Sequence, residues 1–293
     1  MKTGFIAIVG RTNVGKSTLL NAILGEKISI VSDKPQTTRS RIAGIYNRDG
    51  VQAVFLDTPG LHAPKNKLGQ AMLQAAWESL AEADLILLTA ECRRPGEEER
   101  QLIGRITLSG IPCILVLTKI DKIEKNKILE VIDQYAHLHS FAAVVPLCAP
   151  RQDGVDLLMD EILSRLPESD TLFYSTESAT DRSERYLASE LVREKLLRNL
   201  REEVPHGTAV ETVLFEDGPE GGVTRIFVNI ICERESHKGI IIGRQGQTLK
   251  RIATQAREEI EELLGRKVFL ECRVKVREGW RDDERLIGEY NEF

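Results

Sequence analysis

The run GRTNVGKS, at residues 10–17, has the residue types and the spacing of a phosphate-binding loop. Gly10 and Gly15 lack side chains that would keep backbone N–H groups from turning toward an anion. Lys16 supplies positive charge for the outer phosphates of a nucleotide, and Ser17 supplies a hydroxyl for Mg²⁺. The run stands between an apolar stretch and a helical pattern, so the amino end of a helix would face the phosphates. The alternative is an ordinary turn before a helix.

Two later segments carry groups suited to a metal ion and to a terminal phosphate. Asp57-Thr58-Pro59-Gly60 directly follows the apolar run VQAVFLD. A carboxylate there can hold a Mg²⁺-bound water, and the N–H of Gly60 can contact a γ-phosphate. PQTTRSR, residues 35–41, offers Thr37 or, preferably, Thr38 to Mg²⁺ and the γ-phosphate. Both segments are expected to respond to the third phosphate of a bound nucleotide.

A fourth motif, Thr118-Lys119-Ile120-Asp121, ends another apolar run. Its residue types are suited to recognition of a nucleotide base. The carboxylate of Asp121 can accept hydrogen bonds from the N1–H and the exocyclic amine of guanine, a pair that adenine cannot offer. The motif is weak alone, because polar residues often end a strand. All four motifs occur in order at the ends of predicted strands, which indicates a guanine-nucleotide domain.

The elements that must position these groups follow from the alternation of apolar runs with helical patterns. Four runs are typical of buried strands: FIAIV (5–9), DLILLTA (84–90), IPCILVLTK (111–119) and AAVVPLCA (142–149). RIAGIYN and VQAVFLD flank the hairpin signal Asp49-Gly50. This rhythm predicts an α/β fold with a mostly parallel sheet, covered on both faces, over residues 1–168. The polar segment 169–182 is interpreted as a linker.

Residues 183–293 are predicted as a second, α+β domain with the element order α-β-β-α-α-β. Asp181 and Glu184 are expected to cap a helix that runs to about Val204. Strands are expected near 208–216 and 223–232, joined by EDGPEGG.

The predicted helix 247–264 and the strand after it each have one apolar side. On the helix, this side holds Ile252, Ala256, Ile260 and Leu263. The strand alternates core positions with outward positions, which include Lys267, Arg273, Lys275 and Arg277.

A second glycine loop, within GIIIGRQGQTLKRI at 239–252, lacks the Lys-Ser ending of a nucleotide loop and lies between two predicted helices. The order of elements and this G-x-x-G resemble a type II KH domain, whose loop clamps about four nucleotides of single-stranded RNA. The alternative is a tight turn between helices with solvated basic residues. The residues implied to contact RNA are Lys238, Gly239, Ile242, Gly243, Arg244, Gln245, Gly246 and Lys250.

Composition narrows the class of protein. The chain has 293 residues, 42% of them hydrophobic, and a formal net charge of −5. This suits two packed domains and argues against a nucleic-acid surface along the whole chain. Five scattered cysteines form no C-x-x-C pair, as expected for a reduced cytosolic protein without a structural zinc site. The longest apolar runs fall far short of the ~20 residues of a membrane-spanning helix.

Over nearly its whole length the chain resembles the Era family of GTPases. The matching runs in the first part are GRTNVGKSTLLNAILG, QTTRSRIAGI, DTPGLH and the stretch from Lys65 through Leu68-Gly69 and Met72 to Leu80. The C-terminal part adds GIIIGRQGQTLKRI and GWRDDERLI. The resemblance implies GTP hydrolysis with Mg²⁺ and binding of single-stranded RNA near the 3′ end of 16S ribosomal RNA, during assembly of the 30S subunit. A cytoplasmic monomer is expected, with peripheral contact at the inner face of the cell membrane left open.

The resemblance also implies roles for individual residues. Catalytic roles fall on Lys16, Asn13, Thr38 and Gly60, and metal ligation on Ser17, Thr38 and Asp57. The residues implied to bind GTP are Gly10, Arg11, Thr12, Asn13, Val14, Gly15, Lys16, Ser17, Thr18, Asp57, Thr58, Pro59, Gly60, Leu61, Thr118, Lys119, Asp121, Cys148 and Ala149.

The pattern at Leu61 and Asn13 implies an unusual device for hydrolysis. Leu61 stands where small signalling GTPases carry a water-orienting glutamine, so hydrolysis is expected to be slow. Family members with asparagine at the position of Asn13 are thought to recruit a monovalent cation, K⁺, beside the phosphates. The alternative for Asn13 is a structural residue that braces its own loop.

Two positions depart from the family pattern in the base site. Thr118 replaces the usual asparagine, and Cys148-Ala149-Pro150 replaces Ser-Ala-Leu or Ser-Ala-Lys. A threonine hydroxyl can brace the phosphate loop only in part, and Pro150 donates no N–H, so weaker guanine affinity is expected.

Two other functions compete with a GTPase switch. The first is an RNA-binding assembly scaffold with very slow nucleotide turnover, which Leu61 and Thr118 would favour. The second is a GTPase that supports RNA modification, which would need a catalytic cysteine or a cofactor fold. None of the five cysteines stands in such a context.

Overall fold

The computed structural model describes residues 1–48, 50–61, 63–219 and 222–291. Four parts of the sequence predictions lie outside the described residues: Asp49 of the hairpin signal, His62 of DTPGLH, Glu220-Gly221 of EDGPEGG, and residues 292–293 at the end of the second predicted domain. The chain divides into two compact units. The first holds Met1–Ser29, Thr38–Ala63 and Ala71–Asp181, and the second holds Ile30–Thr37, Pro64–Gln70 and the chain from Arg182 onward.

Six strands of the first unit form one sheet in the order β2-β3-β1-β4-β5-β6. They are β1 (Lys2–Val9), β2 (Ile42–Arg48), β3 (Val51–Asp57), β4 (Leu85–Glu91), β5 (Cys113–Thr118) and β6 (Ala143–Pro146). Neighbouring strands are parallel except for the antiparallel pair β2 and β3. The prediction of an α/β fold with a mostly parallel sheet is confirmed.

Helices cover both faces of this sheet. They are α1 (Lys16–Leu24), α2 (Lys67–Ala81), α3 (Glu97–Ser109), α4 (Lys125–Ala136) and α5 (Val155–Arg165). Alternate residues of β1 enter two different apolar clusters, Ile6 and Ile8 on the side of α1 and α5, and Ala7 and Val9 on the side of α3. Burial on both faces explains why these strands are continuous apolar runs rather than alternating ones.

The parallel sheet brings the candidate nucleotide residues to one edge. The carboxyl ends of neighbouring parallel strands lie side by side, and ligands of open α/β sheets bind in the crevice beyond them. The phosphate loop follows β1, Asp57 ends β3, Thr118 ends β5, and Cys148 follows β6.

Residues 169–181, predicted as part of a linker, belong to the first unit. The buried Gln52 accepts hydrogen bonds through Oε1 from the backbone N–H groups of Phe173 (2.8 Å) and Tyr174 (3.0 Å). Asp181 accepts another from the N–H of Ala43 at 3.0 Å. Hydrogen bonds to residues far away in the chain therefore hold this polar, irregular segment in place. Composition alone does not reveal these hydrogen bonds.

From Arg182 onward, the described residues of the second unit form seven α-helices and β-strands. They are α6 (Glu184–Asn199), β7 (Ala209–Glu216), β8 (Thr224–Cys232), α7 (Glu235–Ile242), α8 (Gln247–Leu264), β9 (Val268–Val276) and α9 (Glu284–Asn291). β8 pairs with β7 in antiparallel and with β9 in parallel orientation. The order α-β-β-α-α-β is confirmed, and α9 follows it.

The first helix of this unit differs from the prediction at both ends. Ser183, and not Asp181, is the N-cap, because its side chain accepts a hydrogen bond from the N–H of Tyr186 at 3.2 Å. The helix ends at Asn199 rather than near Val204. Leu200 and Val204 are nevertheless buried in the same core, so their spacing reflected a shared core face and not a continuing helix.

The core of the second unit lies between its sheet and its helices. Ile252, Ala256 and Ile260 of α8 are fully buried, as predicted, and Leu263 packs at the edge of the cluster. Among the residues that the structure describes, no helix has the length and apolar character needed to cross a membrane.

Candidate functional site

The phosphate loop after β1 depends on three glycines. A Cβ on Gly10 would lie 2.2 Å from the carbonyl oxygen of Thr89, so no other residue fits there. Gly15 has a φ of 102° directly before α1. Gly60 approaches the loop so closely that its Cβ would lie 2.9 Å from the backbone nitrogen of Thr12. Backbone N–H groups from two segments of the first unit can therefore surround one anion.

Lys16 is almost fully buried at the start of α1. Its Nζ donates hydrogen bonds to the carbonyl oxygens of Arg11 (2.9 Å) and Gly10 (3.3 Å). Burial lowers the pKa of Lys16 from 10.5 to about 8, and the nearby Asp57 partly offsets that effect. The pKa of Asp57 is in turn raised by burial. Both charges are costly where they lie, and a phosphate group with a cation would compensate them.

Ser17, Thr38 and Asp57, the three predicted metal ligands, converge at one point. The Oγ of Ser17 donates to Oδ2 of Asp57 at 2.7 Å and lies 3.0 Å from Oγ1 of Thr38. The second carboxylate oxygen, Oδ1 of Asp57, is buried without a hydrogen-bond partner in the described part of the chain. Hard oxygen ligands and an unpartnered carboxylate oxygen fit Mg²⁺.

Ser29 is a member of this cluster that the sequence analysis missed. Its buried hydroxyl donates to Oδ2 of Asp57 at 2.7 Å. Asn21 of α1 holds the loop in place, because its Oδ1 accepts hydrogen bonds from the N–H groups of Ile28 (3.0 Å) and Ser29 (2.9 Å). No periodicity or motif marks Ser29, since its partner Asp57 lies 28 residues further along the chain.

The motif at the end of β5 is tied to the phosphate loop. The hydroxyl of Thr118 donates to the carbonyl oxygens of Val14 (2.6 Å) and Ala90 (3.2 Å). The Nζ of Lys119 donates to the carbonyl oxygen of Asn13 at 2.8 Å. Thr118 therefore braces the phosphate loop through the carbonyl of Val14. The sequence predicted only a partial brace from a threonine hydroxyl.

Asp121 and Cys148 meet at the place predicted for the base. The thiol of Cys148 donates to Oδ1 of Asp121, with 3.3 Å between sulfur and oxygen. This hydrogen bond is the main cause of the lowered pKa of Asp121. Ala149 begins a short 3₁₀ turn, Ala149–Arg151, and is buried. An ionised, oriented carboxylate at this position suits recognition of the guanine edge.

Arg11 of the phosphate loop, one of the residues implied to bind GTP, directs its side chain to α3. Its guanidinium pairs with Glu98 and, at 3.3 Å, with Glu99 of α3. Glu99 is buried and also accepts a hydrogen bond from the N–H of Gly96 at 3.0 Å, which caps that helix. Only the backbone of Arg11, through its carbonyl, reaches Lys16.

The remaining predicted residues lie in or beside the phosphate loop. Thr58 is buried and donates to the carbonyl oxygen of Ile8 at 2.8 Å, and Pro59 is buried after it. The N–H of Leu61 donates to the carbonyl oxygen of Gly10 at 3.2 Å, while its side chain packs against an apolar cluster. Thr18, in the first turn of α1, is half-buried.

The segment Ile30–Thr37, just before Thr38, packs within the second unit. Arg193 of α6 donates to the carbonyl oxygen of Thr37. The adjacent Glu194 accepts a hydrogen bond from the N–H of Val31 at 3.3 Å, and Arg198 donates to the carbonyl oxygen of Val31 at 3.1 Å. Ile30 is part of the core of that unit.

The second glycine loop joins α7 to α8. Gly243 and Gly246 have φ values of 72° and 75°, and Gln245 between them has 51°. A Cβ on Gly243 would lie 2.2 Å from Oγ1 of Thr248, whereas one on Gly246 would meet no described atom within 4 Å. The first glycine is therefore needed for packing, and the second keeps the surface of the loop open to a ligand backbone.

The residues around this loop form a mixed surface. Gly239, Arg244, Gln245 and Lys250 are exposed, and Lys238 and Ile242 are half-buried. Ile240 is 50% exposed while its neighbour Ile241 is fully buried in the core. Of the three isoleucines, the resemblance implied RNA contact for Ile242 alone. The orientation of α7 exposes Ile240 and buries Ile241. Ile240 therefore adds an apolar wall beside the loop.

The chain is similar to known proteins in both units. Residues 5–119 match the 50S ribosome-binding GTPase family, and residues 203–281 match the KH domain family. GTPase Era of Ruminiclostridium cellulolyticum is 46% identical over 287 residues, which cover 98% of this chain and 96% of that protein.

Two solved structures are also similar over the whole fold. Aquifex aeolicus Era, crystallised as a variant bound to GDP·AlF4⁻, shares 40% identity and a TM-score of 0.96, with 99% of each chain covered. Era in complex with MgGDPNP and nucleotides 1506–1542 of 16S ribosomal RNA shares 41% identity and a TM-score of 0.95. The match covers 99% of this chain and 98% of that chain.

Proposed function

The chain belongs to the Era family of GTPases, and we propose that it uses GTP hydrolysis to control its hold on single-stranded RNA near the 3′ end of 16S ribosomal RNA. One observation carries the proposal. Two different phosphate-facing loops occur in separate compact units of one chain, at residues 10–17 and 243–246. The first suits a small nucleotide, and the second suits a polymer backbone.

The proposed nucleotide site divides its tasks among named residues. Lys16 and the N–H groups of the phosphate loop stabilise negative charge on the phosphates, and Asp121 reads guanine. Ser17, Thr38 and Asp57 would hold Mg²⁺, which neutralises charge on the outer phosphates when it is bound. The fit rests on the convergence of their oxygen atoms and on the unpartnered Oδ1 of Asp57.

A K⁺ ion is proposed as an additional cofactor beside the phosphate loop. Asn13 is exposed in that loop, with a φ of 62°. Leu61 has no polar side-chain atom that could orient water, and a cation beside the phosphates would stabilise the charge that develops in the transition state. A monovalent cation held by Asn13 supplies that stabilisation.

RNA is proposed to lie across the loop between α7 and α8. The open surface at Gly246 admits the sugar–phosphate backbone, and Arg244, Lys238 and Lys250 add positive charge. The exposed Ile240 gives an apolar wall for a base.

Nucleotide state is proposed to reach the RNA unit through the segment Ile30–Thr37. Thr38 lies beside Ser17 in the first unit, while the preceding Thr37 is held by Arg193 in the second. A movement of Thr38 on loss of the third phosphate would therefore pull directly on a segment packed against α6.

The 30S ribosomal subunit is the proposed larger partner, since the RNA belongs to its 16S component. The protein is proposed to act as a monomer in the cytoplasm. Co-sedimentation of the tagged protein with 30S particles, and light scattering of the free protein, test these two points.

The central proposal is tested by RNA affinity in two nucleotide states. The probe is a fluorescent RNA with nucleotides 1506–1542 of 16S ribosomal RNA, titrated with protein bound to GDPNP or GDP. Tighter binding with GDPNP is expected. Lys16→Ala should remove the difference by preventing nucleotide binding, and Gly246→Asp should weaken RNA binding in both states but leave GDP affinity intact. Equal RNA affinity of the wild type with GDPNP and with GDP would exclude the switch. The alternative, an RNA-binding scaffold with a nucleotide site, would then remain.

A further inference from the structure

The sheet of the second unit has a face that the proposed function leaves unused. Alternate residues of β8 and β9 enter the core, so the residues between them point to the opposite, outward face. On and beside β9, this outward row is Lys267, Phe269, Glu271, Arg273, Lys275 and Arg277. In a chain with a net charge of −5, the row holds four cations and one carboxylate.

Exposed aromatic surface stands within this row. Phe269 is 51% exposed, although phenylalanine on a strand usually packs in a core. Its ring lies edge-on to that of Phe227 on β8, with 6.2 Å between ring centroids. Arg225 lies over the ring of Phe227, with its Cζ 5.4 Å from the centroid. The outward face of Phe269 is available for a planar ligand group.

The other end of the same face is covered. α9 packs against β7, and Trp280 before it is fully buried, with its Nε1 donating to the carbonyl oxygen of Gly207 at 3.1 Å. Asn229 and Ile231, the outward residues of β8 at that end, are buried. The chain's own tail therefore covers one end of the face and leaves Phe269 exposed at the other.

We propose that the outward face of β8 and β9 is a second RNA-binding surface, on which an unpaired base stacks on Phe269 while Arg273 and Lys275 contact the backbone phosphates. This inference rests on the proposed function. The G-x-x-G loop clamps about four nucleotides. The RNA proposed above is longer than that, so part of it is free to contact protein surface outside the loop.

The charge pattern favours RNA over a protein partner. Aromatic rings interleaved with cations along a sheet are the combination that binds single-stranded nucleic acid. Three carboxylates reduce the charge: Glu271 pairs with Arg273 at 2.8 Å, Glu261 pairs with Lys267 at 3.2 Å, and Glu216 lies 3.9 Å from Arg225. Both arginines remain more than half exposed, and Lys275 is exposed beside them. The face therefore keeps an excess of positive charge around an apolar centre.

The test compares two variants of the full chain, Phe269→Ala and the double variant Arg273→Gln, Lys275→Gln. Their matched controls on α4 of the first unit are Leu129→Ala, which also removes an exposed apolar side chain, and Lys125→Gln, Lys127→Gln. The RNA probe is the fragment with nucleotides 1506–1542, together with nested truncations down to the shortest RNA whose binding still depends on Gly246. Thermal unfolding verifies that each variant is folded.

Phe269→Ala is expected to weaken binding of the long fragment by about tenfold, and its effect should disappear on the shortest RNA. The double variant should reduce the magnitude of the slope of log affinity against log salt by about 1.4, because two phosphate contacts to a single strand are lost. The controls should bind like the wild type. Wild-type affinity of both face variants for the long fragment, while Gly246→Asp still weakens it, would overturn this inference. If Gly246→Asp also has no effect, the proposed function itself fails.

Discussion

The thiol of Cys148 donates a hydrogen bond to Oδ1 of Asp121, across 3.3 Å. The contact orients the carboxylate proposed to read guanine and lowers its pKa. Cys148→Ala should therefore weaken GDP binding by about fivefold, since a hydrogen bond to a charged group is lost. Cys148→Ser should bind at least as tightly as the wild type, because O–H is the stronger donor. Calorimetric titration with GDP measures both, and identical affinities in all three proteins would contradict the positioning role.

Thr118 is predicted to be the brace of the phosphate loop. Thr118→Val keeps the shape of the side chain but removes the hydrogen bonds to Val14 and Ala90. A loss of about 1–3 kcal/mol in the free energy of unfolding is expected, together with weaker GDP binding. The matched control is Thr89→Val, because the buried hydroxyl of Thr89 has no hydrogen-bond partner among the described residues. Urea unfolding should show little change for the control, and equal losses in both variants would argue against a specific brace.

The lowered pKa of Lys16 predicts a pH-dependent nucleotide affinity. Below about pH 8 the amine is charged before the nucleotide arrives, and above it a proton must be taken up on binding. GDP affinity should therefore fall as pH rises through 8, by at most about tenfold per pH unit. Calorimetry in buffers of different ionisation enthalpy measures the protons taken up on GDP binding. This uptake should be larger at pH 8.5 than at pH 7.

The same shift has the opposite consequence for the nucleotide-free fold. The folded state holds Lys16 with a pKa below its ordinary value of 10.5, so the unfolded chain binds more protons between about pH 8 and 10.5. The contribution of Lys16 to stability should therefore rise with pH in that window.

The prediction for GDP affinity has its own contrary outcome. Constant GDP affinity from pH 7 to 8.5, without proton uptake, would mean that Lys16 is charged throughout.

Dependence on K⁺ is predicted from Asn13 and Leu61. The rate of GTP hydrolysis should be about tenfold or more higher in KCl than in NaCl at equal ionic strength. Asn13→Gly removes the side chain but accepts the φ of 62°, so it should lower the rate in KCl to that in NaCl. Phosphate release assays measure both. Equal wild-type rates in the two salts would exclude the cation.

The contact between Arg193 and the carbonyl of Thr37 predicts a variant that uncouples the two activities. Arg193 is buried and also binds Glu190, with its Nε 2.6 Å from Oε1. The double variant Arg193→Met, Glu190→Gln removes the contact without leaving a buried charge. It should bind GTP and RNA, but the ratio of RNA affinities with GDPNP and GDP should fall toward one.

The control for this variant is Arg266→Gln, which breaks ion pairs with Glu184 and Asp217 elsewhere in the second unit. It should keep the wild-type ratio. A wild-type ratio in the double variant as well would show that the segment Ile30–Thr37 does not carry the signal.

Local patterns were sufficient to predict both loops and most elements. The bounds predicted for α8, residues 247–264, are those observed, because its apolar period of 3.6 and its flanking glycines act within the helix itself. The parallel sheet followed from continuous apolar runs in the same way. Ser17, Thr38 and Asp57 were implied as metal ligands by the family resemblance, and the structure places their side-chain oxygens together.

Local sequence is sufficient to predict the phosphate loop, the second glycine loop and the order of elements, since glycine spacing and apolar period act over a few residues. The folded structure was needed to show that Ser29 joins Asp57, that residues 169–181 bind the first unit through Gln52, and that Ile30–Thr37 packs with α6. These relations depend on hydrogen-bond partners more than a helical turn away. Local sequence patterns do not predict such partners, because each pairing depends on where the folded chain places a donor and an acceptor.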